Sequence, residues 1–212
     1  MERKGKLCIA ADVSTKKELY NLIEQCGNSI SILKTHIDMM TDFDSSVITK
    51  LKEYKALYGF AIWEDRKFAD IGNVVYQQMH EGIYKISSWA DYVSVHVISG
   101  PGILDILEHL GAIVIINMSS KNNIMDETYM NNAVKLIINN TNVVGIVSQI
   151  QHDNITLPHI VPGINLSSST DTRDQTYNSI DNKRWADLFV VGRGITKSAV
   201  PCDACREYVD AI

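Results

Sequence analysis

The chain reads as an α/β protein, a TIM (β/α)8 barrel, on three observations. Short β-branched runs alternate with helix-like segments from one end of the sequence to the other, the pattern of parallel βα units rather than of hairpins. Eight such runs are present, the number that closes a barrel. No Gly-x-Gly-x-x-Gly follows the first run, which weakens the other architecture compatible with the alternation, an open doubly wound sheet.

The predicted strands are Leu7 to Asp12, Ile30 to His36, Gly59 to Asp65, Tyr92 to His96, Ala112 to Met118, Val143 to Val147, His159 to Pro162 and Leu188 to Val191. The first helix opens at Thr15, whose hydroxyl pairs with the Glu18 carboxylate as a capping box, and Leu19, Leu22 and Ile23 supply its buried stripe. Further helices are expected at Ser46 to Tyr58, Asn73 to Tyr84, Gly102 to Leu110, Glu127 to Asn139 and Ala199 to Val209, from apolar residues at three- and four-residue spacing. No repeat or linker interrupts the series, so residues 1–212 read as one domain. The polar tract Ser167 to Asp174 reads as one long loop, of the kind that often carries function.

With 45% hydrophobic and 21% charged residues, the composition suits a compact core. A formal charge of −5 leaves no basic footprint for nucleic acid or an anionic membrane, so an anionic ligand must be met by a local cationic site. No window approaches the roughly 20 apolar residues of a membrane span, and the N-terminus shows no cleavage pattern, so a cytoplasmic protein is expected. The four cysteines do not form a disulfide framework; Cys202 and Cys205 have metal-like spacing but no second pair, and read as ordinary helix residues.

Barrel enzymes place their reactive groups where strands end and βα loops begin. Here Asp12 ends the first strand, Lys34 and His36 the second, Asp65 and Lys67 the third and His96 the fourth; Ser119 follows the fifth and Gly192 and Arg193 the eighth. Solvated strand ends account for one or two such charges, but two lysines and two aspartates in a barrel mouth are costly unless paired. Period-two alternation points Asp65 and Lys67 to one side of the third strand and Glu64 and Arg66 to the other. Lys34, Asp65 and Lys67 are then expected to share one small volume, the aspartate ionised and both lysines protonated, with an ammonium ready as proton donor. His36 and His96 read as hydrogen-bonded structural histidines.

These residues belong to longer runs: Leu7–Val13 (LCIAADV), Ile32–Asp38 (ILKTHID), Trp63–Asn73 (WEDRKFADIGN), Ile86–Asp91 (ISSWAD), Met118–Ser120, Pro162–Gly163, Gln175–Ser179 (QTYNS) and Val191–Ile195 (VGRGI). In that order, and over nearly the whole chain, the sequence resembles the orotidine 5'-monophosphate (OMP) decarboxylase family in its eukaryotic form, the decarboxylase domain of UMP synthase. The resemblance implies conversion of OMP to UMP and CO2 in de novo pyrimidine synthesis, by a homodimer without metal or cofactor. It implies a catalytic tetrad of Lys34, Asp65, Lys67 and Asp70, with Asp70 and Ile71 reaching into the neighbouring subunit's site. Asp12 would bind the ribose, Ser119 and Gln175 would address the pyrimidine and the phosphate, Pro162 would bind substrate, and Gln175, Tyr177, Gly192 and Arg193 would grip the phosphate. A Gly-Arg turn after strand eight suits that last role independently, since barrels often hold phosphate there. Binding energy from the phosphate is expected to close the loop Ser167 to Asp174 over the ring.

Departures from the family pattern fall at Ala10 in place of Ser, Val74 in place of Thr, and Asp174 and Thr176 in place of Gly and Gln. Each costs on the order of 1 kcal/mol of hydrogen bonding, and none removes the tetrad. Two rivals remain at this level. A catalytically impaired homologue kept for nucleotide or protein binding would need an unused, mutually charged cluster. A related Mg2+-dependent sugar-phosphate decarboxylase would be expected to carry a carboxylate where Lys34 stands. No orotate phosphoribosyltransferase region precedes the matched run, so the chain reads as a free-standing module.

Overall fold

The structure, a computed structural model, describes residues 5–166 and 174–212. Eight parallel strands form a closed barrel in sequence order. They are β1 (Leu7–Ala11), β2 (Ile32–Thr35), β3 (Ala61–Phe68), β4 (Tyr92–Val95), β5 (Gly111–Ile115), β6 (Val143–Val147), β7 (His159–Pro162) and β8 (Leu188–Val191). The last pairs back onto the first through Ile9 and Val191. Every predicted strand is present, three of them with their predicted bounds.

Alternation along each strand produces two apolar layers. Cys8, Ala10, Trp63, Ile113, Ile115, Val147, Ile160, Leu188 and Val190 fill the barrel interior. Leu7, Ile9, Leu33, Ile62, Val93, Val114, Ile146, Val161 and Phe189 point outward and pack with the surrounding helices and turns. The interior is therefore a packed plug, open to a ligand only at an end, which is why the strand-end residues matter.

Helix α1 (Lys16–Cys26) begins with the predicted capping box: Thr15 Oγ1 accepts from Glu18 N, and Glu18 Oε2 accepts from Thr15 N at 3.1 Å. It buries Leu19, Leu22, Ile23 and Cys26. Helix α2 (Ser45–Tyr58) is capped by Asp44 and stops at Gly59, whose φ of +71° is left-handed and turns the chain into β3. Helices α3 (Gly72–Tyr76), α4 (Glu127–Ile137), α5 (Arg193–Thr196) and α6 (Pro201–Ala211) complete the set. Cys202 and Cys205 lie in α6 as ordinary helix residues, and all four cysteines are free.

Two helix expectations are corrected. The span Gly102 to Leu110 is a 3-10 turn at Pro101–Ile103 followed by turns, not a helix. Ile103, Leu104, Leu107 and Leu110 are buried, so the apolar spacing was real, but left-handed Glu108 (φ +54°) breaks any continuous helix through it. The segment Asn73 to Tyr84 stays α-helical only to Tyr76; a π-helical turn at Gln77–Glu81 follows, ending at Gly82. The four-residue α5 was not anticipated. The loop expected at Ser167 to Asp174 lies outside the described residues apart from Asp174.

Candidate active site

At the C-terminal end of the barrel a cavity of about 290 Å³ opens. Asp12, Lys34, Asp65, Lys67, Ser119, Pro162, Gln175, Tyr177, Gly192 and Arg193, ten of the predicted site residues, all line it. Strands β1, β2 and β3 supply its charged wall. In register, Ala10 pairs with Lys34 and Lys34 with Trp63, so Asp12 and Asp65, each two residues further on, share the face of Lys34 one step nearer the rim.

Lys34 Nζ donates to Asp65 Oδ2 at 2.8 Å and to Asp12 Oδ1 at 3.3 Å. Lys67 Nζ donates to the same Asp65 Oδ2 at 2.8 Å. Burial alone would lower the pKa of Lys34, but the charges of Asp65 and Asp12 outweigh it and the net shift is upward. Burial likewise would raise Asp65, yet Lys34, a hydrogen bond from His36 and Lys67 hold it well below the usual carboxylate range. Desolvating each ion costs several kcal/mol, so the group is tolerable only as a mutually neutralising set.

The route by which Lys67 reaches Asp65 differs from simple alternation. Pairing of β3 with β4 runs from Glu64 opposite Val93 to Phe68 opposite Val95, a bulge in which three β3 residues face one β4 residue. Within it Lys67 has φ +58°, a left-handed conformation unfavourable for a residue with a side chain. The contact predicted between Asp65 and Lys67 is therefore present, made by a strained bulge. Glu64 points outward as expected, where its carboxylate is fully buried and accepts from Thr35 Oγ1 (2.7 Å) and Ile37 N (3.1 Å). Burial pushes its pKa up to about 8, against the weaker pull of those two donors.

Sequence reasoning missed His36 as a site residue. Its Nε2 lies 3.1 Å from Lys34 Nζ and 3.2 Å from Asp65 Oδ2, and its ring lines the cavity. The available signal was its place two residues after Lys34, hence on the same face. His96 is half-buried; burial and then the Lys67 ammonium lower its pKa, which favours the neutral ring. Among the described residues, His36, Asp38 and Glu64 bring ligand-type atoms within 4.8 Å of one another. The Glu64 carboxylate there is already engaged by Thr35 and Ile37.

The opposite wall is stitched from loops. The segments after β5 and β7 pair through Thr176 N to Ser119 O (2.9 Å) and Lys121 N to Asp174 O (2.8 Å). Gln175 Nε2 donates to Ser119 Oγ at 3.0 Å, and Arg193 Nη2 donates to Gln175 Oε1 at 2.9 Å. The Arg193 guanidinium lies 5.4 Å above the Tyr177 ring. Gly163 (φ +75°) lets the Gln175 segment approach: a Cβ there would meet Thr176 O at 2.9 Å. A forked cation, an amide and a phenol thus face the charged wall across the cavity, a suitable set for an anionic oxygen group.

Asp70 and Ile71 are not brought into this cavity. Both are exposed just beyond β3, where Asp70 Oδ1 accepts from Ile71 N at 2.7 Å and the Ile71 side chain faces outward at 62% exposure. They line a separate shallow cleft with Lys67, Gln78 and Ser99.

Comparison with known proteins identifies the family. The sequence profile of the Orotidine 5'-phosphate decarboxylase / HUMPS family matches residues 5–208. Uridine 5'-monophosphate synthase of Bos taurus is 35% identical, the match covering 98% of this chain and 45% of that longer protein. Orotidine 5'-phosphate decarboxylase of Rhizomucor pusillus is 38% identical, covering 92% of this chain and 80% of that one. Among solved structures, the OMP decarboxylase of Methanocaldococcus jannaschii complexed with inhibitor BMP superposes with a TM-score of 0.72 over 98% of both chains at 20% identity, a likeness of fold. No helix among the described residues is long and apolar enough to cross a membrane. A barrel with this cavity, matched along 5–208 and sharing more than a third of its residues with named decarboxylases, belongs to the Orotidine 5'-phosphate decarboxylase / HUMPS family and is, like them, a carboxy-lyase.

Proposed function

We propose that the protein converts OMP to UMP and CO2 for pyrimidine synthesis, without metal or cofactor, and that Lys67 is the proton donor. The observation that carries this reading is the sharing of Asp65 Oδ2 by the Lys34 and Lys67 ammonium groups, each at 2.8 Å, on the floor of the cavity.

Breaking the bond from pyrimidine C6 to the carboxylate releases CO2 and leaves its electron pair on C6. No ring nitrogen or imine can accept that pair, so stabilisation must be electrostatic. The Lys67 ammonium, kept near C6 by Asp65, stabilises the carbanion and then delivers its proton to form the C6–H bond; neutral Lys67 regains a proton from solvent. Asp65, facing the departing carboxylate, is relieved of like-charge repulsion once CO2 has gone. Lys34 and Asp12 fit the ribose hydroxyl groups, Ser119 and Pro162 the pyrimidine, and Gln175, Tyr177, Gly192 and Arg193 the phosphate.

We assign the working form as a homodimer with shared sites. Asp70 and Ile71, outside this chain's own cavity, would complete the partner's. Exposed Met39 (45%), Ile71 (62%) and Ile98 (67%) follow the adjacent strands β2, β3 and β4, which leaves apolar side chains for a partner at that end of the barrel. A cytoplasmic setting fits the four free thiols.

The test is loss of OMP absorbance on addition of purified, folded protein, with product identified as UMP. No turnover would end the proposal. Activity abolished by EDTA and restored by Mg2+ would instead favour the sugar-phosphate branch of the family.

A further inference from the structure

We propose that Trp63 and Ser94 are positioning residues acting through Asp65: a directed hydrogen-bonded chain, Trp63 to Ser94 to Asp65, sets the plane of the carboxylate shared by the two lysines. The inference rests on reading the Lys34, Asp65 and Lys67 cluster as the decarboxylase centre.

Trp63 Nε1 lies 2.8 Å from Ser94 Oγ, and Ser94 Oγ in turn contacts Asp65 Oδ1. An indole N–H can only donate and an ionised carboxylate can only accept. The single hydroxyl proton of Ser94 must therefore point at Asp65, so the chain has one direction. Ser94 is fully buried and Trp63 is 1% exposed, so water does not compete for either group.

The location explains why such a device is needed. Ser94 lies between Val93 and Val95, and is thus the β4 residue opposite the bulge that carries Asp65, Arg66 and Lys67. Ladder hydrogen bonds are disrupted there, and left-handed Lys67 adds strain. The terminal torsion of an aspartate is soft and roughly two-fold. Oδ2 faces Lys34, Lys67 and His36, and a carboxylate held only on that side could swing with whichever cation dominates. The hydroxyl at Oδ1 fixes the second oxygen, and with it the position of the Lys67 ammonium. A Phe at position 63 keeps an aromatic ring in the barrel and removes the N–H, at the cost of some buried volume beside the cavity.

The experiment combines Ser94→Ala, Trp63→Phe, the double variant and Ser94→Thr with wild type. For Ser94→Ala, kcat is expected to fall roughly tenfold to a hundredfold with KM within about twofold of wild type, since small misplacements at a reacting centre cost that much. Trp63→Phe should lose less, and the double variant should be no slower than Ser94→Ala, because Trp63 acts only through the hydroxyl. Ser94→Thr, which keeps the hydroxyl, should recover most of kcat. Independently of activity, the Trp63 indole N–H resonance is expected to move in Ser94→Ala and to stay near its place in Ser94→Thr; with three tryptophans, it is the one that vanishes in Trp63→Phe. Multiplicative losses in the double variant, or an indole resonance indifferent to Ser94→Ala, would overturn the proposal. Inactive wild type would strike the decarboxylase reading and the positioning role with it, while the indole spectrum would still report whether the hydrogen-bonded chain exists.

Discussion

The two walls of the cavity are built on different principles. Along β1 to β3, charged side chains stand on strands or at their ends, Lys34 and Asp65 are buried, and each ion is held by a neighbour of opposite sign. Across the cavity, Ser119, Gln175, Tyr177 and Arg193 come from the ends of β5, β7 and β8, and their order derives from contacts between loops. A group whose charge must be exact to a few tenths of an ångström is placed on the barrel frame, and groups that grip a ligand are placed where they can adjust. Chemistry should therefore be lost on one wall and affinity on the other.

The sharpest test of that division is Lys67→Ala. Removing the proton donor should lower kcat by about 10²-fold to 10⁴-fold with KM little changed, measured by single-turnover decay of OMP absorbance. A variant that keeps kcat and loses only affinity would erase the distinction between the walls.

Asp70 belongs to the strand wall in sequence but not in this chain's cavity. Mixing inactive Lys67→Ala and Asp70→Ala proteins after subunit exchange should restore about one quarter of wild-type activity, because half the dimers are hybrid and each has one intact site. No recovery, with exchange verified, would place Asp70 in its own chain's chemistry.

On the loop wall, Arg193→Ala should raise KM roughly tenfold to a hundredfold, the value of a charged hydrogen bond to phosphate, with a smaller change in kcat. A loss confined to kcat would show that the phosphate grip drives closure instead of binding.

The smallest effect concerns two adjacent carboxylates on β3. Asp65 is held low by cations, so its stabilising contribution is complete above the ordinary aspartate value of 3.8 and is lost only in strong acid. Glu64 is raised from 4.5 to about 8 by burial, so the folded chain retains a proton that the unfolded chain has released. Stability should then fall as pH rises from about 4.5 to about 8 and level off above. Glu64→Gln should flatten the difference between urea midpoints at the two ends of that window; an unchanged slope would mean that Glu64 is not the group responsible.

Much of this was legible in the residues. β-branched runs located all eight strands, and Thr15 with Glu18 located the start of α1. Placing Lys34, Asp65 and Lys67 together needed only strand ends and charge pairing. The turns at 101–110 were misread as helix because buried apolar residues at three-residue spacing satisfy either form. His36 was passed over because a histidine near a strand end has no distinctive pattern, and Ser94 because a serine inside a strand has none at all.

Local propensity and hydrophobic period act within a few residues, so the sequence by itself determined the order of strands and helices, the barrel class and the identity of the charged groups. The bulge at Lys67, the hydrogen bond from Ser94 to Asp65, and the opposite protonation tendencies of Glu64 and Asp65 were decided only by tertiary structure. Each depends on register between strands and on which face is dry, and both are set by closing the barrel.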